Sequence, residues 1–315
     1  MFPPSEPFAS GMLSVAHGAQ VYWECSGNPT GIPVLYLHGG PGGSLRTGAY
    51  RRRCDPARYL IVGLDQRGCG RSRPRATADL INLASNTTGQ LIDDIELLRE
   101  HLTIPRWLVM GVSWGTTLAL AYAQAHRDRV SGLLLAAVGL TDAVAVEWIT
   151  ETVGRLFPRE WDRFRAFAAP APGQSLVEAY YAMLTGPDRT QRYAAAAEWM
   201  RWEQAHVSLD PRPRGPGRTD PDDQLLFATL VTHYWTHGAF LPADALLARM
   251  PRIADIPAVL IHGRLDVSSP AEVPWSLHTR WPASRLVLID DEGHGGPRMT
   301  EHLVSAIDEL TATRA

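Results

Sequence analysis

The chain has 315 residues, 45% of them hydrophobic and 20% charged, with a formal charge of −3 at pH 7. That length holds one large domain, or a core carrying an insertion, and the composition is that of a soluble globular protein. The charge excludes a basic footprint for nucleic acid and offers no attraction to an anionic membrane surface, so neither is expected as a partner.

All 30 basic residues are arginine. The absence of lysine removes a P-loop lysine, a Schiff-base lysine and a Ser–Lys catalytic pair at once. Cys25, Cys54 and Cys69 have neither metal-ligand nor CxxC spacing and read as free thiols of a reducing compartment. The N-terminal stretch "MFPPSEPFASGMLSVAHG" lacks the pattern of a signal peptide, and no apolar run approaches the roughly 18–20 residues of a membrane span. A cytoplasmic protein without metal or cofactor is expected, and its oligomeric state is not readable.

In chain order, "VYWECS" (21–26), "PVLYLHG" (33–39) and "YLIVGLD" (59–65) read as strands, the last two as short buried ones ended by glycine or aspartate. "QLIDDIELLREHL" (90–102) has helical spacing, "RWLVMG" (106–111) is a strand, "TTLALAYAQAH" (116–126) a helix and "RVSGLLLAA" (129–137) a strand. Such alternation predicts a mostly parallel sheet with helices on both faces. From 141 to 245 the chain turns helical and aromatic, as in "QSLVEAYYAMLTG" and "QRYAAAAEWMRWEQAH". There the loop "DPRPRGPGRTDPDD" (210–223) reads as a solvated connection or a gate. "PAVLIHG" (257–263) and "RLVLID" (285–290) restore strands, and "EHLVSAIDELTAT" closes as a helix. The expected organisation is an α/β core over 1–140, a helical cap over 141–245 and the rest of the core over 246–315.

The motif "GVSWG" (111–115) falls where a strand runs into a helix. That is the setting of the nucleophile elbow of the α/β-hydrolase fold, against the plain reading of a glycine-rich turn. The turn is so tight that its neighbours must be small, and the helix starting there aims N–H groups at a developing oxyanion. Ser113 then needs a base and an orienting carboxylate, in the order Ser, Asp, His. Asp266 in "HGRLDVSSP" and His294 in "DEGHGG" follow strands in that order. His262 reads as structural, Asp290, Asp291 and Glu292 as solvated or turn-forming, and His233 and His237 as parts of the cap. "HGGPGG" (38–43) supplies the other half of the oxyanion hole, so the two donors are expected to be the backbone N–H groups of Gly40 and Trp114.

With these pieces the chain resembles the proline iminopeptidases, a group of capped α/β-hydrolases. The resemblance is carried by "HGGPGG", "GLDQRGCGRS" (63–72), "NTT" (86–88), "GVSWGTTLALAYAQAH" (111–126), "RLFPREW" (155–161), "EWMRWE" (198–203), "THYW" (232–235), "HGRLD" (262–266) and "GHGG" (293–296). It implies a metal-free serine peptidase that removes an N-terminal residue, typically proline, from short peptides through Ser113, Asp266 and His294. It also implies that Glu203 meets the substrate's α-amino group.

Four positions depart from the family pattern. Val231 stands where a second acidic residue is expected, Ala136 and Gly139 where an arginine and a phenylalanine shape the proline pocket, and Trp235 where the pattern has phenylalanine. These changes keep a second reading open, an esterase or amidase for a neutral small-molecule acyl group. Under either reading the partner is a small peptide, amide or ester substrate.

Overall fold

The seven strand-like runs and one further segment become eight strands of one sheet in the computed structural model, which describes residues 1–46, 48–78, 80–212 and 217–312. The strands are β1 (Ala9–Ser14), β2 (Gln20–Gly27), β3 (Ile32–Leu37), β4 (Tyr59–Leu64), β5 (Trp107–Val112), β6 (Val130–Ala136), β7 (Ala258–Gly263) and β8 (Ser284–Ile289). Their spatial order is β1-β2-β4-β3-β5-β6-β7-β8. The β1–β2 and β2–β4 pairings are antiparallel, and the rest are parallel.

The helices are α1 (Thr88–His101), α2 (Trp114–Ala125), α3 (Ala143–Thr150), α4 (Pro158–Ala168), α5 (Leu176–Thr185), α6 (Arg189–His206), α7 (Pro221–Thr236), α8 (Ala245–Ala248), α9 (Glu272–His278) and α10 (Pro297–Ala312). None among the described residues is long and apolar enough to cross a membrane. The sheet is covered on both faces, and the two-residue period of the strands shows it. Leu133 and Leu135 join a buried cluster with Leu118 and Leu120 of α2, whereas Leu134 and Ala136 join another with Leu303 and Ile307 of α10. Double coverage explains why these strands read as continuous apolar runs.

One expectation changes. The sequence reading has no strand at 9–14, yet "ASGMLS" forms the edge strand β1, with every other residue exposed. Small and polar residues give such an edge no apolar run to detect. Between β3 and β4 the chain forms a 3₁₀ segment, Ala49–Arg53.

Helices α3 to α7 fill the stretch between β6 and β7 and carry an apolar cluster of their own. Phe164 is its hub, stacked on Tyr180 and Trp202 with ring centroids 4.3 and 5.2 Å away. Local chemistry starts three of these helices. Ser175 and Glu178 form a reciprocal cap on α5, Asp188 caps α6, and Asp220 caps α7 just before Pro221. This aromatic layer lies over the C-terminal ends of β3, β5, β6, β7 and β8, where the loops bearing the candidate residues emerge.

Candidate active site

Ser113 sits between β5 and α2 with φ 57° and ψ −128°, a left-handed conformation for a residue with a side chain. Holding such a residue there costs about 1–3 kcal/mol, which the surrounding packing must supply. The flanking glycines show how tight the turn is. A Cβ on Gly111 would lie 2.3 Å from the Gly115 carbonyl oxygen, and one on Gly115 would lie 2.1 Å from that of Leu37. The Ser113 N–H donates to the Ala136 carbonyl at 3.0 Å, tying the elbow to β6.

His294 reaches this serine from the loop after β8, with Nε2 3.0 Å from Ser113 Oγ. Its Nδ1 lies 2.7 Å from Asp266 Oδ2, which follows β7. Asp266 is buried at 3% exposure and also accepts from the Ser268 hydroxyl at 2.8 Å and the Ser269 N–H at 3.2 Å. An ionised carboxylate only accepts, so Nδ1 carries the proton and Nε2 is left to accept from Ser113.

Burial pushes the Asp266 carboxyl up, but the facing His294 and its hydrogen bonds outweigh that and hold it below the usual carboxylate range. For His294, burial favours the neutral ring, while the Asp266 charge, its hydrogen bond and the Glu203 charge pull harder and raise its pKa above 6.5. The sequence reading missed Ser268. It stands two residues beyond Asp266 in the same quoted segment, and its hydroxyl also lies 2.9 Å from His294 Nδ1.

Gly40 and Trp114 both line the cavity that opens on Ser113. As the first residue of α2, Trp114 has no intrahelical acceptor for its N–H. A further residue links the two loops. Gln66 donates its backbone N–H to His38 Nε2 at 3.0 Å and its side-chain amide to the His38 carbonyl at 2.9 Å. Its Oε1 accepts the Trp114 indole N–H at 3.0 Å. His38 Nδ1 in turn donates to the Gly39 carbonyl at 2.9 Å, and burial lowers the pKa of this ring, which keeps it neutral.

The cavity, about 110 Å³, has Ser113 and His294 on its floor and helices α3, α6 and α7 as walls. Glu203, Val231, Trp235 and Gly139, all singled out in the sequence, line it. Val231 is 1% exposed and belongs to the apolar cluster of the upper layer. At Gly139 a Cβ would meet only Ser269 Oγ, at 3.9 Å, so this corner of the wall is open. Burial drives the Glu203 carboxyl above the usual carboxylate range, against Arg218, His294 and a hydrogen bond from Trp199.

Arg218 belongs to the 210–223 loop, of which 213–216 lie outside the described residues. Rather than facing solvent, its guanidinium sits over the Phe227 ring, 3.6 Å from the centroid.

The competing residues fall elsewhere. His262 accepts the Val138 N–H on Nδ1 at 3.0 Å and donates from Nε2 to the Ser269 carbonyl at 2.8 Å, a buried brace under the Asp266 loop. Asp290 and Asp291 pair with Arg264 and Arg298 at the surface. Glu292 is no solvated acid: at 0% exposure it accepts the Arg298 and Met299 N–H groups at 2.8 Å and caps α10. His233 of α7 lies 3.0 Å from the Asn86 carbonyl, and His237 2.7 Å from the His233 carbonyl.

Comparison with known proteins adds four findings. Residues 32–296 match the alpha/beta hydrolase fold family. The proline iminopeptidase of Arabidopsis thaliana is 41% identical over 99% of this chain and 82% of its own length. A probable proline iminopeptidase of Streptomyces coelicolor is 42% identical over 98% of this chain and 97% of its own. Among solved structures, the proline iminopeptidase of Mycobacterium smegmatis superposes with a TM-score of 0.60 at 19% identity, covering 97% of this chain and 96% of that one. At that identity the superposition speaks for the fold alone.

Proposed function

The chain belongs to the proline iminopeptidases, serine hydrolases of the alpha/beta hydrolase fold family, and on that premise we propose that it releases the N-terminal residue of short peptides or amides through an acyl-enzyme on Ser113. The observation that carries this reading is the continuous chain from Asp266 through His294 to Ser113, with contacts of 2.7 and 3.0 Å, opening into a cavity that also holds Glu203.

In the proposed mechanism His294 Nε2 takes the Ser113 proton as Oγ attacks the carbonyl carbon. Asp266 holds the imidazole in the required tautomer and stabilises the imidazolium. The N–H groups of Gly40 and Trp114 bind the oxyanion, and losing one such donor costs about 3–4 kcal/mol of transition-state stabilisation. The imidazolium then protonates the departing amine. Water, deprotonated by the same His294, attacks the acyl ester and returns Ser113 to its starting state. The Gln66 bridge keeps the two donor loops in register.

Glu203 is assigned to the substrate's α-ammonium. A carboxylate in the wall, at fixed reach from Oγ, selects a free amine one residue from the scissile bond, and a charge-assisted hydrogen bond of this kind is worth about 1.5–3 kcal/mol. Residues 141–245 act as the cap that shapes the pocket, over a core formed by 1–140 and 246–315. Its aromatic cluster, separate from the two on the sheet faces, supports that division. Three buried, unpaired cysteines support a reducing, cytoplasmic setting.

Aminoacyl arylamides with and without an N-acetyl group test the reading. Free-amine substrates are expected to be hydrolysed at least tenfold faster in kcat/KM. Equal turnover of blocked substrates would remove the aminopeptidase assignment. The apolar Val231 wall and the open corner at Gly139 favour the neutral-acyl reading in that event, with p-nitrophenyl esters outpacing the arylamides.

The pH dependence has a definite sign. Because the folded-state pKa of His294 is raised, the free base is lost as pH falls through a value above 6.5. The acid limb of kcat/KM is therefore expected to have its midpoint above that of an ordinary histidine, with a tenfold loss per unit below it. A pH–rate profile showing a midpoint at or below 6 would contradict the Asp266–His294 coupling.

A further inference from the structure

The space around Ser113 has two lobes. The apolar one is walled by Ile149, Trp199 and Val231 and suits the acyl side of the substrate. The other, about 290 Å³, is polar and is lined by Tyr36, Ser44, Arg46 and Arg218. Both lobes share Gly40, Ser113, Glu203, Phe227 and His294, so a carbonyl held at Ser113 lies at their junction, with acyl group and leaving group pointing opposite ways.

Arg218 is the unusual member of the polar lobe. It is only partly exposed and forms no salt bridge among the described residues. Burial pulls its pKa below the ordinary arginine value, with Glu203 and Asp223 attracting it from a distance and Arg46 opposing. A guanidinium withdrawn from water without a contacting counter-ion is costly, unless a ligand supplies the missing charge. The rim adds to the imbalance. Asp223 is shared by Arg46 and Arg75, the latter at 2.8 Å, so one carboxylate answers two cations. Glu203, the acid lining the lobe itself, is already assigned to the substrate's α-ammonium.

We propose that the polar lobe is a carboxylate site for the leaving side of the substrate, in which Arg218, assisted by Arg46, holds the free C-terminal carboxylate of a dipeptide. This rests on the peptide reading above and deepens it. One residue spans only about 3.3–3.6 Å of extended chain, so the carboxylate of a dipeptide stays within the same lobe as the departing amine. A longer peptide carries its terminal charge past that lobe. The site thus selects the shortest substrates from the leaving side, as Glu203 measures one residue on the other.

The test compares prolyl-glycine with prolyl-glycinamide at fixed ionic strength, in wild type, Arg218→Met and Arg218→Lys. Both substrates see the same enzyme preparation, so partial misfolding cancels from the ratio of their kcat/KM values. Wild type is expected to prefer the acid by about ten- to hundredfold. Arg218→Met, which can still pack on Phe227, should bring the ratio near one, and Arg218→Lys should restore part of it. A wild-type ratio of one, or a ratio unchanged in Arg218→Met, would overturn the proposal while prolyl arylamide turnover kept the peptide reading intact. Should wild type cleave no free-amine amide, the peptide reading falls by itself. The same site is then read from 4-acetoxybenzoate against 4-acetoxybenzamide, whose ratio should shift in Arg218→Met and would overturn the proposal if it did not.

Discussion

Ser113→Ala is expected to lower kcat by about 10⁴- to 10⁶-fold while leaving the melting temperature within a few degrees of wild type. The rate loss follows from removing the atom that forms the acyl bond, since neither His294 nor the oxyanion donors can replace it. The small effect on stability follows from the surroundings. Alanine bears the same left-handed backbone strain as serine, and the lost hydrogen bond to His294 faces a cavity where water can take its place.

Asp266 differs. It is buried and accepts from His294, Ser268 and Ser269, so Asp266→Ala would strand buried donors and cost stability as well as rate. A variant series that separates these two outcomes, read by steady-state kinetics and thermal melts, distinguishes a nucleophile from a packing residue.

Glu203→Gln is expected to reduce kcat/KM on free-amine substrates by about ten- to hundredfold and to leave N-acetylated substrates nearly unaffected. Glutamine keeps the size of the side chain and its place beside Trp199 but cannot answer an ammonium with charge. A second readout follows from electrostatics. The Glu203 charge is one of the influences raising the His294 pKa, so the acid limb of the pH profile should move to lower pH in Glu203→Gln. A variant that loses activity equally on free and blocked substrates, with an unmoved acid limb, would reduce Glu203 to a wall residue.

Much of this geometry is legible in the sequence because each element states its own constraint. The small-x-Ser-x-small spacing at 111–115 encodes the clash that any side chain at 111 or 115 would suffer. Asp266 and His294 follow apolar runs, which parallel pairing brings to one sheet edge. What escaped the reading are residues whose partners lie far away in the chain. Gln66 becomes meaningful only when β3, β4 and α2 are assembled around it. Ser268 looks like any serine after a strand until the fold brings His294 Nδ1 within reach.

Arg218 was hidden for a different reason. An arginine among prolines normally points to solvent, and only the position of α7 puts the Phe227 ring beneath it. Glu292 shows the reverse error, an acid in a charged run that the fold uses as a buried helix cap. Edge strand β1 was lost because its pairing with β2 demands little of its side chains.

The joint placement of Ser113, His294 and Asp266 supports every chemical step above, so reactivity at one hydroxyl is the decisive quantity. A fluorophosphonate probe, followed by mass spectrometry of the digested protein, measures it directly. The expected result is a single adduct on the peptide containing Ser113, absent from Ser113→Ala and forming more slowly as pH falls below the His294 midpoint. Undiminished labelling of Ser113→Ala, or an adduct on another residue, would contradict the proposed chemistry.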